Sequence, residues 1–162
     1  MSFLYTRANI LRGLLIYSLG DTAAALLQDN FSVLRLLGMM LIGATVYAFE
    51  IPNFFRYIDK KLAGPANRLN SVKRTALSML YFSPLWVARH LLFIKIFSGQ
   101  VSEISWDLLR ISVVSFAYNI PVAFAANYLI QNKLPFHWRF MGSGIFSALM
   151  AVYYALAANW FR

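Results

Sequence analysis

Five apolar stretches divide this 162-residue sequence, each about twenty residues or longer. They cover residues 10–28, 34–57, 75–98, 108–130 and 139–161. An α-helix of about 20 residues crosses the roughly 30 Å hydrocarbon core of a bilayer, whereas a helix of a water-soluble domain needs a polar face. The pattern therefore predicts an all-α fold, a polytopic membrane helix bundle with about five transmembrane helices. We expect a single integral membrane domain over residues 1–162.

The distribution of charge predicts the orientation of this bundle. The chain has 15 Lys and Arg against 6 Asp and Glu, a net charge of +9. If the spans alternate in direction, one side has a single acid, Asp59, and these basic residues: Arg7, Arg12, Arg56, Lys60, Lys61, Arg68, Lys73, Arg74, Lys133 and Arg139. The other side has fewer basic residues, among them Arg35, and these are offset by acids. The positive-inside rule places the N-terminus and the 58–74 loop on the inner face of a mitochondrial or bacterial inner membrane.

The same basic residues indicate which partners to expect. Because they lie beside predicted spans, we expect contact with the lipid bilayer and its anionic headgroups, and no nucleic-acid partner. The sequence has no cysteine and only two histidines, and it lacks the fingerprints of hydrolases, phosphate loops and dinucleotide sites. We therefore expect no metal, no cofactor and no enzymatic activity.

Polar side chains inside the predicted spans are the candidate functional residues, because burying them in lipid is costly. The candidate pathway or intramembrane polar network is Asp21, Glu50, Arg89, His90, Asn119 and Asn127. Asp21 and Arg89 lie about 16 and 21 Å from the basic side at the helical rise, a gap that the long arginine side chain can close, so they are the first pair to consider. Glu50 is expected to face a water-filled vestibule or to accept from Asn119 or Asn127. The polar residues either line a solute pathway or only fix helix register.

Prolines and small residues suggest how the helices pack. Pro52, Pro84 and Pro121 lie within the second, third and fourth stretches, where each is expected to kink its helix. The last stretch has small residues at helical spacing: Ser143, Gly144, Ser147, Ala151 and Ala155. Such residues let helices approach closely, either inside the bundle or in a homo-oligomer.

Two short segments suggest an internal repeat. Residues 48–52 read Ala-Phe-Glu-Ile-Pro and residues 117–121 read Ala-Tyr-Asn-Ile-Pro. A true repeat would relate the first helical hairpin to the second, followed by a fifth helix, as in some transporters. Coincidence in a chain rich in alanine and aromatic residues is the alternative.

Several motifs recur in the order of a known family. They are Gly20-Asp21, Phe54-Phe55 before Asp59, the spacing of Pro84, Gly99 and Trp106, Pro121 with Asn127-Tyr128, and Pro135 with Arg139. In these the chain resembles the twenty-two-kilodalton peroxisomal membrane protein family and its mitochondrial inner-membrane channel-like relatives. It departs from the family pattern at Ala25, Ile120 and Met150. The resemblance implies a multi-pass channel for small solutes.

A second, local resemblance suggests another function. The segments at 21–24 and 82–88 are similar to parts of bacterial L-alanine exporters, although the Pro-Tyr-Gly motif of those proteins is absent. Three hypotheses follow from the sequence. The chain is a small-solute channel or transporter, a non-transporting structural or assembly subunit of a membrane complex, or an amino-acid exporter.

Overall fold

The computed structural model describes residues 3–64 and 67–160, with side chains as far as Tyr153. This part of the chain is helical and contains no strand. Its elements in chain order are α1 (Arg7–Leu27), α2 (Val33–Ile42), a π-helical segment (Gly43–Tyr47), α3 (Ala48–Lys61), α4 (Arg68–Tyr81), α5 (Pro84–Phe97), a 3₁₀ turn (Val101–Glu103), α6 (Asp107–Asn132) and α7 (Phe136–Trp160). The expected all-α fold is therefore confirmed.

Four helical segments of the described residues are long and apolar enough to cross a membrane, one fewer than predicted. They are Arg7–Leu27, Val33–Lys61, Arg68–Phe97 and Asp107–Asn132. The second combines α2, the π segment and α3, and the third combines α4 and α5. The fifth predicted span coincides with α7, whose last side chains lie outside the described residues. The bundle is thus built from apolar helices of membrane-spanning length.

Side-chain caps set the ends of three helices. Thr6 accepts from the N–H of Asn9 at the start of α1, and Ser32 accepts from the N–H of Arg35 at the start of α2. Asn67 caps α4 in the same way, at 2.8 Å from the N–H of Asn70. Such caps satisfy N–H groups that lack a partner within the helix.

The cap at Asn67 corrects the predicted loop over 58–74. Because α3 continues to Lys61 and α4 begins at Arg68, the connection is only 62–67. The basic residues of this region mostly extend from helix ends rather than from a long loop.

Helix α1 crosses the π segment with their backbones in contact. Gly13 and Gly43 face each other, and a Cβ on either glycine would overlap the carbonyl oxygen of the other. Gly20 meets Ala148 of α7 in the same close manner. Close approach of this kind needs small residues at the crossing. Helix α1 is therefore held between the second span and α7.

The third span is broken, which corrects the expected kink at Pro84. Helix α4 ends at Tyr81, residues 82 and 83 are non-helical, and Pro84 is the first residue of α5. A first helical residue needs no N–H partner, so proline is well suited to restart the helix. Pro52 and Pro121 instead lie inside α3 and α6.

Candidate functional site

An ion pair joins the second span to the broken third span. Arg89 donates to Glu50 through Nη1 at 2.9 Å and through Nη2 at 2.6 Å. The Tyr81 hydroxyl donates to the same carboxylate at 2.7 Å. In one continuous helix Tyr81 and Arg89 would be about 12 Å apart along the axis. Because the chain changes direction at the break between α4 and α5, both side chains can reach Glu50.

This ion pair lies away from both ends of the second and third spans. At the helical rise, Glu50 is about 16 Å from the Lys61 end of its segment and about 26 Å from the Val33 end. The side chains of Arg89 and Glu50 are nevertheless 34% and 32% exposed. A charged pair exposed to hydrocarbon would be costly, whereas one that meets water or a polar solute is not.

Aromatic side chains surround the pair and bring His90 into the site. The Tyr47 hydroxyl and His90 Nδ1 share a hydrogen bond of 2.8 Å. Trp86 stacks on His90 with ring planes 5° apart and centroids 5.4 Å apart. The Arg89 guanidinium lies 5.9 Å from the centre of the Tyr47 ring, within cation–π range. The predicted residues Glu50, Arg89 and His90 therefore belong to one cluster.

Two donors in this cluster have no hydrogen-bond partner within the described residues. They are the Nε1 of Trp86 and the Nε of Arg89, both buried as atoms. A buried donor without a partner costs roughly 1–3 kcal/mol. The part of the cluster that a polar or charged group can reach is the exposed third of the Arg89 and Glu50 side chains.

Asp21 does not pair with Arg89, the first pairing considered from the sequence. Asp21 instead accepts from Arg35, from Nε at 2.8 Å and from Nη2 at 2.7 Å. The side chains of Arg35 and Asp21 are only 4% and 2% exposed. Because α1 continues to Leu27 and α2 starts at Val33, the two residues face each other across a short hairpin. Arg35, which the sequence placed among the basic residues of the less basic side, is therefore buried in the core, and Asp21 belongs to this buried pair rather than to the Glu50 cluster.

The expected contact of Glu50 with Asn119 or Asn127 is also wrong. Glu50 pairs with Arg89 and Tyr81, while Asn119 Nδ2 donates to the sulfur of Met150 at 3.0 Å. Asn127 accepts from the Ser78 hydroxyl at 2.7 Å and lies between α4 and α6. The two asparagines thus hold helices together rather than complete the Glu50 cluster.

Asn127 belongs to a buried polar network whose other members sequence reasoning missed. Gln131 Nε2 donates to the Ser78 hydroxyl, and Asn132 donates to Thr75. Ser78, Thr75 and Gln131 are fully buried. Ser71, Thr75 and Ser78 recur at helical spacing on α4, and this polar face was the available signal. The network attaches α4 to α6.

At the opposite end of the molecule from the α1–α2 turn, Asp59 connects three helices. Arg139 of α7 approaches both of its carboxylate oxygens at 2.8 Å, and Arg74 of α4 lies at 3.2 Å. Arg12 of α1 also donates to the backbone oxygen of His137 at 2.9 Å. Basic residues from three helices, α1, α4 and α7, therefore meet at one end of the bundle, which we call the basic end.

The small residues of α7 lie toward α1 where the structure describes them. Ser143 is buried, and a Cβ on Gly144 would meet the side chain of Ile16. Ser147 and Ala151 are partly buried. Ala155 lies outside the residues whose side chains are described. This face thus packs within the bundle over the described turns.

Over the described ranges, no group of three or more His, Cys, Asp or Glu side chains is placed to hold a metal ion. No family model, curated protein or solved structure matches the chain. The resemblances to the peroxisomal membrane protein family and to alanine exporters therefore stay predictions.

Proposed function

We propose that this chain is an integral membrane channel or transporter for a small polar or charged solute. The ion pair of Glu50 and Arg89, about one-third exposed deep within apolar spans, is the observation that carries the proposal. Tyr81, Trp86 and His90 complete the site. We expect the exposed charges of this site to face water or a bound solute, because exposure of these charges to lipid would be costly.

The second intramembrane ion pair provides an internal comparison. Asp21 and Arg35 form a bidentate pair that is 2–4% exposed, as expected for a pair that only fixes helix register. Glu50 and Arg89 have the same chemistry but an open environment. Fixing helix register accounts for the first pair, whereas the exposure of the second requires water, a polar solute or a covering partner beside it.

The break in the third span supports the same function. Residues 82 and 83 lie between two 14-residue helices, so the interruption is in the middle of the span. Irregular backbone at membrane depth is tolerated where it lines a cavity or is covered by protein. Discontinuous helices of this kind form the solute sites of many transporters. The break also lies directly beside Tyr81 of the Glu50 cluster.

The orientation follows from the charge distribution. We infer that the basic end faces the inner side of a mitochondrial or bacterial inner membrane, together with the N-terminus and the 62–67 connection. Export of an amino acid is a narrower form of this proposal, because a carboxylate and a guanidinium can each bind one charge of a zwitterion.

A non-transporting subunit of a larger membrane complex is the second candidate. One observation favours it: only 6% of the most apolar window of Arg68–Phe97 is buried, against 39% and 44% in the first two spans. A protein partner, or a second copy of the chain, would cover such a surface. The same surface in a transporter simply faces lipid.

Solute efflux from liposomes tests the proposal. We expect purified, correctly inserted protein to release small polar solutes, and Arg89→Gln to change that flux at least severalfold. Lys95→Gln is the matched control, because Lys95 lies on the same helix but pairs with Glu103 outside the cluster. Its flux should equal that of the wild type. Absence of flux from folded wild-type protein would favour the structural-subunit hypothesis instead.

A further inference from the structure

A cleft opens at the basic end of the bundle, away from the Glu50 cluster. Its volume is about 340 Å³, and it lies between the start of α1, the middle of α3 and the start of α7. Small-molecule sites span roughly 300–1,000 Å³, so the cleft is large enough for one small group. It is a candidate binding site separate from the proposed solute path.

Arg12 supplies the charge in this cleft. Its Nη1 donates to the backbone oxygen of His137 at 2.9 Å, and its guanidinium lies 5.5 Å from the centre of the Trp138 ring. In the described part of the chain no carboxylate lies within ion-pair distance of Arg12. The guanidinium is therefore held in place while its charge is not neutralised.

The remaining walls of the cleft are amphipathic. Phe55, Phe136 and Phe140 form an apolar wall, and Asn9 places an amide beside Arg12. The cleft also lies at the first turns of α1 and α7, where helix dipoles favour negative charge. A ligand that fits has an anionic group joined to an apolar part.

We propose that this cleft binds the phosphate headgroup of an anionic phospholipid, with Arg12 as its main ligand. The basic end is where headgroups would lie if the apolar spans cross a bilayer, and anionic lipids are attracted to such basic surfaces. Asp59 does not compete with the phosphate for Arg12, because its carboxylate already pairs with Arg74 and Arg139. The phenyl rings contact the first methylene groups of the lipid.

Thermal unfolding in neutral detergent tests this site without measuring flux. The probes are dioctanoyl phosphatidylglycerol, dioctanoyl phosphatidylcholine and inorganic phosphate, titrated into wild-type protein and variants. We expect phosphatidylglycerol alone to raise the melting temperature by several degrees. In Arg12→Gln its apparent affinity should fall about tenfold, the loss expected for one charge-assisted hydrogen bond.

Matched variants separate the cleft from general charge attraction. Arg68→Gln removes an exposed basic residue at the same end and should keep the full response. Arg12→Lys should retain part of it. If Arg12→Gln does not fold, Asn9→Leu leaves the contacts of Arg12 intact and should weaken the response severalfold.

Three results would overturn the proposal. Phosphatidylcholine could stabilise the protein equally, which would remove the requirement for an anion. Inorganic phosphate could reproduce the whole effect, which would identify a site for free phosphate rather than lipid. Finally, both Arg12→Gln and Asn9→Leu could keep the wild-type affinity, which would place the lipid elsewhere.

Discussion

Arg35 and Asp21 form two parallel hydrogen bonds across the α1–α2 hairpin, and both side chains are almost fully buried. Removing one partner of such a pair leaves an uncompensated buried charge, which costs about 3–5 kcal/mol. We therefore expect Arg35→Met to lower the free energy of unfolding strongly.

The double variant Asp21→Leu with Arg35→Met tests this explanation. It removes both charges, so it should recover most of the loss, as apolar replacements of buried pairs often do. Unfolding in detergent followed by circular dichroism measures both variants. A double variant as unstable as Arg35→Met would contradict the account of the pair.

The backbone crossing of α1 with the π segment predicts an unusual sensitivity to a single methyl group. In Gly13→Ala and Gly43→Ala the new Cβ meets a backbone oxygen that cannot move away. We expect each to destabilise the protein by about 1–3 kcal/mol, as overpacked sites do.

Gly144→Ala is the matched control, because its Cβ would lie 3.0 Å from the side chain of Ile16 and would not overlap backbone. Gly144→Ala should destabilise the protein clearly less than Gly13→Ala or Gly43→Ala in the same thermal unfolding experiment. Equal losses in all three variants would show that the crossing is looser than described.

The network between α4 and α6 makes Ser78 a stabilising residue. Ser78→Ala removes the donor to Asn127 and the acceptor of Gln131, leaving buried amides short of partners. Hydrogen bonds between membrane helices average about 0.6 kcal/mol, and an unpaired buried group adds to that loss. We expect about 1–2 kcal/mol of destabilisation, against no measurable change for Ser102→Ala at an exposed position.

Asp59 holds the basic end together, so Asp59→Asn should loosen α3, α4 and α7 locally. The residue is 29% exposed, which limits the loss of global stability. We expect faster proteolysis of the 62–67 connection, with little shift in melting temperature. Glu103→Gln breaks an exposed ion pair with Lys95 and should leave the cleavage rate unchanged.

The sequence predicts the helices better than their contacts. Hydropathy located the spans, because length and apolar character are local properties of the chain. The partner of Asp21 depends on where α1 ends and on how α1 and α2 are rotated. Each residue of boundary error turns a side chain by about 100° around the helix. Counting depth from assumed helix ends therefore suggests Arg89 as a partner for Asp21 and does not identify Arg35.

Pro84 and Ser78 illustrate two further limits of prediction from sequence. Proline is compatible with both a kink and a restart of a helix, and only the neighbouring Phe82 and Ser83 decide between them. Serine within an apolar span carries little signal alone, because its hydroxyl can bond within its own helix. The stabilising role of Ser78 depends on Asn127 and Gln131 of α6, which lie opposite it only in the folded structure.

The central claim is that water reaches Arg89 inside apolar spans. The chain has no cysteine, so single cysteines can be introduced directly. We would place Arg89→Cys in a Glu50→Gln background, which leaves no unpaired carboxylate to attract water. Leu80→Cys is the control, because Leu80 lies beside the same helix break and is 70% exposed on an apolar surface. Lys133→Cys, at the basic end, reports labelling from water.

Labelling these three variants in liposomes with a membrane-impermeant thiosulfonate reagent is the most direct measurement. The account predicts that the cysteines at 89 and 133 react and that the cysteine at 80 does not. Protection at both 80 and 89 would mean that lipid or protein seals the Glu50 cluster. Equal labelling at 80 and 89 would mean that this segment does not lie in a bilayer, and either result would contradict the proposed polar path.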